Sequence, residues 1–188
     1  RSALLASSAA SDVYKRQVMT LDATDVPMEH NLLKNTDVPC MMVTSPKGLE
    51  YLEKNFKGTY LVAKETDSEE VIKEKLDKAG KGVLPVLVTG KGGFPDSTVT
   101  MKILKKIGIE RLLIESPGYG HYLVKQKMMD EFFLNLSAVY IGGGDTMTLG
   151  KADKGFLAEA HPHTQILSIH MYNDYFAYFR YKFNYDYV

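Results

Sequence analysis

Apolar and polar residues follow two different periods along most of the chain. Short apolar runs predict β-strands at 38–45, 59–63, 83–88, 111–114 and 130–141, the third of them interrupted by Pro85. Apolar residues at helical spacing predict helices at 46–56, 67–79, 97–107 and 119–129. Ser97 or Thr98 is the expected cap of the third of these helices. This alternation of strand and helix favours an α/β domain with a largely parallel sheet.

The last part of the chain follows another pattern. Residues 165–171 and 175–185 are rich in aromatic side chains and predict two strands without a helix between them. Asn173 and Asp174 indicate a hairpin at their junction. We expect these strands to pair antiparallel at one sheet edge. The predicted fold is therefore α/β, a three-layer domain whose mixed, mostly parallel sheet has antiparallel edge strands at the C-terminus.

Three predicted strands end in loops that could hold a ligand, because ligands bind at the carboxyl ends of strands in such sheets. These loops are 45–48, 90–93 and 115–120. Ser45 is a plausible cap for the helix that Pro46 begins. Glycine and Lys91 in the second loop suit a phosphate, although a plain glycine turn explains the same residues. None of the loops has a dinucleotide or phosphate-loop fingerprint.

Composition narrows the class of protein. The 188 residues are 45% hydrophobic and 24% charged, which is typical of a globular chain of one domain. The single cysteine, Cys40, excludes an internal disulfide framework, and no apolar run approaches the length of a membrane span. Equal numbers of acidic and basic residues give no broad attraction to nucleic acid or to membranes. We expect a cytoplasmic protein.

Two clusters of residues could have a function, but a structural role explains each of them better. His161, His163 and His170 lack the ligand number and spacing of a fixed zinc site, so we expect no metal. Tyr and Phe side chains between Tyr172 and Tyr187 could stack nucleobases. An edge strand or a dimer surface is the favoured interpretation of that aromatic segment.

The first seventeen residues have no helical or strand period. Ser7–Gln17 resembles one reading frame of a transposon-type sequencing adapter, and we interpret residues 1–17 as a non-native scar. Their apolar core is too short for a signal peptide. Without them 171 of 188 residues are native, and removal of Arg1, Lys15, Arg16 and Asp12 shifts the net charge from zero to −2. We expect residues 18–188 to form a single domain that is truncated at its N-terminus.

Arg111-Leu-Leu-Ile-Glu115 is followed by a predicted helix, by Asp130-Glu131 and by a strand into Gly142-Gly143-Gly144. This order of segments resembles the reductase domain of riboflavin biosynthesis, which is the C-terminal domain of a bifunctional deaminase-reductase. The resemblance implies that the first strand of the family's domain, and any deaminase domain, would lie before Val18. Thr20–Met28 is similar to a second segment of that family. The resemblance implies a dihydrofolate reductase-like fold, NADPH as cofactor, a small-molecule substrate and a homodimer.

The resemblance also implies site residues by position. The cofactor-binding positions are Thr20, Thr24, Ser45, Pro117, Gly118, Tyr119, Gly120 and His121. The substrate-binding positions are Met28, Asn31 and Glu115. By its place after a strand alone, Glu115 could instead pair with Arg111 or Lys125. No residue is assigned a catalytic proton transfer.

Departures from the family pattern keep more than one function open. Ser116-Pro117 stands where the family has Gly-Gly, and Asn31 stands where it has an arginine that could clamp a phosphate. We expect an NADPH-dependent reductase that acts on a small polar substrate, with a pyrimidine or ribosyl compound as one option. The alternative is a non-catalytic nucleotide or small-molecule binding module on the same fold. A nucleic-acid binder that uses the aromatic segment is a third, weaker alternative.

Overall fold

The computed structural model describes residues 17–20, 27–34, 39–141, 155–157 and 160–186. Packing contacts divide the chain into two compact units, one up to Arg111 and one from Leu112 onward. The elements described in the first unit are β1 (Gln17–Thr20), α1 (Asn31–Lys34), β2 (Cys40–Thr44), α2 (Pro46–Asn55), β3 (Thr59–Lys64), α3 (Glu69–Leu76), β4 (Val83–Val88) and α4 (Ser97–Lys106).

The strands of the first unit form a parallel sheet in the order β1–β2–β4–β3. Every residue of β2 is buried, and so is every residue of β4 except Val83. Inner strands of a parallel sheet are covered on both faces, which explains their continuous apolar sequences. The parallel strands expected from the sequence are confirmed here. β1 adds a strand that the apolar pattern did not predict, with Gln17 opposite Cys40.

Pro85 lies inside β4 and does not interrupt it, contrary to expectation. A proline is disfavoured in a central strand because it cannot donate a ladder hydrogen bond. Pro85 pairs with Leu61 of β3, whereas the pairing of β4 with β2 begins one residue later, at Val86. The proline therefore stands where β4 has only one neighbouring strand among the described residues.

Side-chain caps fix the starts of the three longer helices of this unit. Ser45 accepts a hydrogen bond from the Gly48 N–H of α2 at 3.1 Å, as predicted. Ser68 caps α3 in the same way. The prediction of Ser97 or Thr98 as the cap of the next helix is wrong. Asp96 caps α4 through its carboxylate, which accepts from the Val99 N–H at 3.0 Å.

The main core of the first unit lies between the sheet and α2. Leu52 of α2 is fully buried, and Phe56, the residue after the helix, is 6% exposed. They pack with apolar side chains from the sheet and from the segment around α1. The members of this cluster are Met28, Leu33, Cys40, Met42, Leu52, Phe56, Leu84, Val86 and Val88.

The second unit contains one helix and three strands among its described residues. They are α5 (Pro117–Lys125), β5 (Glu131–Ser137), β6 (His163–Asn173) and β7 (Phe176–Asn184). The predicted hairpin is confirmed between β6 and β7, where the Asn173 side chain accepts from the Tyr175 N–H at 2.9 Å. The glycines at 142–144 lie outside the described residues.

Two expectations for this part of the chain are wrong. Residues 111–114 form no strand, and Leu113 is 65% exposed. An apolar run this short does not by itself specify a strand, because a strand also needs a pairing partner. The late strands do not extend the parallel sheet either. β7 pairs with β5 on one side and β6 on the other, so the described strands form a separate antiparallel sheet.

Gly48 is a position where a methyl group should destabilise the fold. A Cβ built on Gly48 would overlap the hydroxyl oxygen of buried Thr44, whereas one built on Gly92 meets nothing within 4 Å. We expect Gly48→Ala to lower the free energy of unfolding by about 1–3 kcal/mol, the usual cost of overpacking. Gly92→Ala serves as the matched control and should change stability by less than about 0.5 kcal/mol. In a Thr44→Ala background the cost of Gly48→Ala should shrink; an undiminished cost would contradict the overlap.

Cys40 should react slowly with thiol reagents in the folded protein. Its side chain is buried, and that burial raises the pKa of the thiol to about 11. The thiolate is the reactive form of cysteine. A pKa of about 11 in place of 9.0 lowers the thiolate fraction at pH 8 about 100-fold. Absorbance on labelling with an aromatic disulfide reports this thiol alone, since the chain has one cysteine. Comparable rates in native buffer and in urea would refute this expectation.

Candidate functional site

Ser45 joins the end of β2 to a distant loop. Its side chain is fully buried, and its hydroxyl donates a hydrogen bond to the Gly93 carbonyl at 2.9 Å while it caps α2. Ser45 and Gly93 are 48 residues apart in the chain. Two of the three loops expected at a ligand site, 45–48 and 90–93, therefore lie together at the carboxyl edge of the parallel sheet.

Hydrogen bonds at the ends of β2 and β4 hold the backbone beneath these loops together. The Thr89 N–H donates to the Thr44 carbonyl at 3.0 Å, which holds the end of β4 against the end of β2. The hydroxyl of Thr89 lies 2.8 Å from that of Thr100 in α4. Thr44 itself is fully buried, and among the described residues its hydroxyl oxygen has no hydrogen-bond partner.

The glycine loop after β4 has a backbone shape that requires Gly90. Its φ of 79° lies in the left-handed region, and a Cβ there would come within 2.9 Å of the Asp96 nitrogen. The Gly90 N–H donates to the carboxylate of Glu65, which follows β3, at 2.9 Å. Glu65 therefore holds the start of this loop from the neighbouring strand end.

Two lysines supply positive charge at this edge. Lys47 in the first turn of α2 and Lys91 in the glycine loop are both exposed. The aliphatic chain of Lys47 passes 3.9 Å from the position of a Cβ on Gly93, so Lys47 lies alongside the loop. Gly92 has open space on its Cβ side, and Phe94 is 69% exposed. Pro46 has no N–H and the Ser45 hydroxyl already accepts from the Gly48 N–H, so the start of α2 adds few donors. The two lysine ammonium groups and the accessible loop backbone form the donor set that suits an anion such as phosphate.

The carboxyl end of β3 has the opposite charge. A cleft there of about 370 Å³ is lined by several acidic side chains. A hydrogen bond from the Lys75 ammonium at 2.7 Å lowers the pKa of Asp67, and Lys106 pairs with Glu69. These carboxylates disfavour an anion in the cleft. The acids lining it are Glu65, Asp67, Glu69 and Glu70.

The third expected loop, 115–120, belongs to the second unit. Glu115 is exposed and precedes α5, whose cap is Ser116 through a 3.4 Å hydrogen bond from the Tyr119 N–H. Pro117 is the first helical residue and has no N–H. Gly118 is thus the first-turn residue whose N–H has no acceptor within the helix.

His121 contributes a buried polar atom to the same helix. Its Nε2 has no hydrogen-bond partner among the described residues. The ring lies 5.0 Å from that of Phe156, over which the Lys125 ammonium lies at 5.9 Å. The imidazole is therefore packed against an aromatic ring.

The other residues expected at the site have varied positions. Thr20 ends β1 at the carboxyl edge of the sheet, next to β2, the strand that Ser45 follows. Asn31 is exposed at the start of α1. Met28 is 5% exposed and belongs to the core cluster. Thr24 lies outside the described residues. The assignment of these residues to cofactor or substrate stays a prediction.

Sequence reasoning missed two residues that shape this edge, Glu65 and Thr89. Each directly follows a strand of the parallel sheet, so a systematic inspection of the residues after each apolar run could have found them. Among the described residues, no group of three or more His, Cys, Asp or Glu side chains is placed to hold a metal ion. None of the described helices is both long and apolar enough to cross a membrane.

Comparison with known proteins finds a similarity among solved structures. The chain matches no known family and no curated protein. Among solved structures it is similar to a protein of Shewanella sp. PV-4 named a "putative riboflavin biosynthesis protein". The two share 13% sequence identity with a TM-score of 0.41, over 90% of this chain and 97% of the other.

Removal of the Ser45 hydroxyl should cost more than removal of an ordinary helix cap. Ser45→Ala loses the cap of α2 and leaves the Gly93 carbonyl without its donor, so we expect a loss of about 2–3 kcal/mol in unfolding free energy. Ser68→Ala is the matched control, because Ser68 caps α3 and is exposed. It should lose about 1 kcal/mol. Equal losses in urea denaturation would show that the link to Gly93 adds nothing.

Proposed function

We propose that the chain is an NADPH-dependent reductase of the riboflavin-biosynthesis reductase type that acts on a small polar substrate. The observation that supports this most is the junction of the 45–48 and 90–93 loops by Ser45 at the carboxyl edge of a parallel sheet. Lys47 and Lys91 flank that junction. A dinucleotide phosphate is an anion of the size and charge that such an edge would bind.

The residues of the first unit fit the phosphates of the cofactor. Lys47 and Lys91 would bind phosphate oxygens, and the Gly92 backbone is open to close approach. The fully buried Ser45 hydroxyl already donates to Gly93 and accepts from Gly48, so its contribution is to position the loop. When bound, NADPH supplies the hydride.

Glu115 is the residue that we assign to the acceptor molecule. Its carboxylate is exposed and accepts hydrogen bonds, as the ring N–H and exocyclic amino groups of a pyrimidine would require. It would hold the acceptor in a fixed orientation. A pyrimidine or ribosyl compound remains the class of substrate that we expect.

A binding module without turnover is the second candidate. The start of α5 favours this candidate. Pro117 has no N–H, and the Tyr119 N–H already donates its hydrogen bond to the Ser116 hydroxyl. This helix therefore offers a phosphate fewer donors than a Gly-Gly turn would. The two candidates share cofactor binding at the lysine edge and differ in whether any acceptor is reduced.

Cofactor binding tests the lysine edge. NADPH fluorescence in a titration of the full chain should give saturable binding, and Lys47→Ala and Lys91→Ala should each raise the Kd about tenfold, because each removes a charge-assisted contact. Lys102→Ala, an exposed lysine on α4, is the matched control and should bind as the unmodified chain does. The proposal fails if millimolar NADPH does not bind or if all three lysine variants behave alike.

Turnover separates the reductase from the binding module. Absorbance at 340 nm follows NADPH consumption with a panel of pyrimidine and ribosyl compounds. For a reductase, Glu115→Gln should lower kcat/KM for the acceptor while the Kd of NADPH stays unchanged. Saturable NADPH binding with no consumption in the whole panel would favour the binding module.

A further inference from the structure

Glu65 places a carboxylate at the sheet edge where the proposed function puts a phosphate. The residue directly follows β3 and is half-buried. Its carboxylate accepts a hydrogen bond at 2.9 Å from the N–H of Gly90, which lies 25 residues later in the chain. A carboxylate beside an anion weakens the binding of that anion by like-charge repulsion. The presence of Glu65 at this edge therefore needs a physical reason.

The backbone of Glu65 is fixed against the end of β4. Its N–H donates to the Val88 carbonyl at 3.1 Å, just beyond the last residue pair of the two strands, Lys64 and Val88. The side chain extends from there to Gly90, two residues further along the chain. Glu65 therefore bridges the point at which the chain leaves β4 and enters the glycine loop.

The glycine loop is held at both of its ends by side chains from other segments. The N–H of Gly90 donates to Glu65, and the carbonyl of Gly93 accepts from Ser45 at 2.9 Å. Residues 91–92 lie between these two contacts and are exposed. A loop that is already fixed loses little conformational entropy when it binds a ligand, which favours affinity. Loss of either contact should make binding pay for ordering the loop.

The charge of Glu65 makes the two ends of the loop unequal. The aliphatic chain of Lys47 lies alongside the Gly93 end, 3.9 Å from the position of a Cβ there. At the Gly90 end Glu65 helps to line the acidic cleft that follows β3. An anion is therefore attracted toward Gly93 and repelled from Gly90.

We propose that Glu65 is a positioning residue for anion binding at the glycine loop. Its hydrogen bond holds residues 90–93 ready for a phosphate, and its charge keeps that phosphate on the Lys47 side of the loop. The hydrogen bond raises the affinity for the anion, whereas the charge lowers it. This proposal rests on the proposed function, because it takes the phosphate of the cofactor as the anion.

Two substitutions separate the hydrogen bond from the charge. Glu65→Gln removes the charge and keeps a side-chain oxygen that can accept from the Gly90 N–H, whereas Glu65→Ala removes both. In titrations with inorganic pyrophosphate and with NADPH, Glu65→Ala should have a Kd about tenfold higher than Glu65→Gln, the effect of one hydrogen bond. Glu65→Gln should bind at least as tightly as the unmodified chain.

Glu70 supplies the matched control, because it is an exposed carboxylate of the same cleft. Glu70→Gln and Glu70→Ala should bind either ligand with the same Kd. Urea denaturation of all four variants gives the conditions under which each is folded. A Glu65 side chain with a merely structural role would change the free energy of unfolding and leave the Kd of the folded protein unaltered.

The unliganded chain provides a readout that does not depend on the cofactor. Hydrogen exchange at the Gly90 N–H, followed by NMR, should be about tenfold faster in Glu65→Ala than in Glu65→Gln. Equal exchange rates, equal Kd values of these two variants for both ligands, or no binding of either ligand would overturn the proposal. If pyrophosphate binds with the expected difference and NADPH does not bind, the role of Glu65 stands and the reductase proposal fails.

Discussion

The parallel pairing of β2 with β4 is the constraint on which the first unit depends. Both strands are buried on their two faces, so apolar burial holds them at the centre of the sheet. Because they run in the same direction, they end at the same edge, where the Thr89 N–H meets the Thr44 carbonyl. The cap of α2 and the glycine loop both start from that one backbone contact. The candidate site is therefore a consequence of strand direction.

The sequence predicted the local structure of this unit well, because the signals are local. Periodicity located β2, β3 and β4, and the Ser45-Pro46 pair marked the start of α2. The sequence could not predict the bond from Ser45 to Gly93, because the two residues meet only after two intervening strands and two helices have folded. It chose the wrong cap for α4 because Asp96 and Ser97 are both good capping residues, and backbone geometry decides between them.

The sequence was less informative about the second unit. Apolar alternation in 165–171 and 175–185 identified a hairpin, but alternation does not say which sheet a hairpin joins. The third strand of that sheet, β5, was read as a continuation of the parallel series, and its seven-residue antiparallel register with β7 could not be read from hydropathy. Some site residues, such as Asn31, were implied by the resemblance alone. No local sequence pattern supports them, so the fold offers nothing against which to test them.

A formal net charge of zero conceals a separation of charge within the first unit. Lysines flank the ends of β2 and β4, while carboxylates surround the end of β3. Glu65 lies between the lysine edge and the acidic cleft. Its carboxylate accepts a hydrogen bond from the Gly90 N–H, so its charge faces the backbone of the glycine loop. Binding at this edge should therefore depend on ionic strength, although the formal net charge of the chain is zero.

The buried position of Cys40 has a practical consequence. A chain whose only native thiol is inaccessible can carry an introduced surface cysteine without prior removal of the native one. A fluorophore or spin label on the glycine loop would then report loop motion from one defined place.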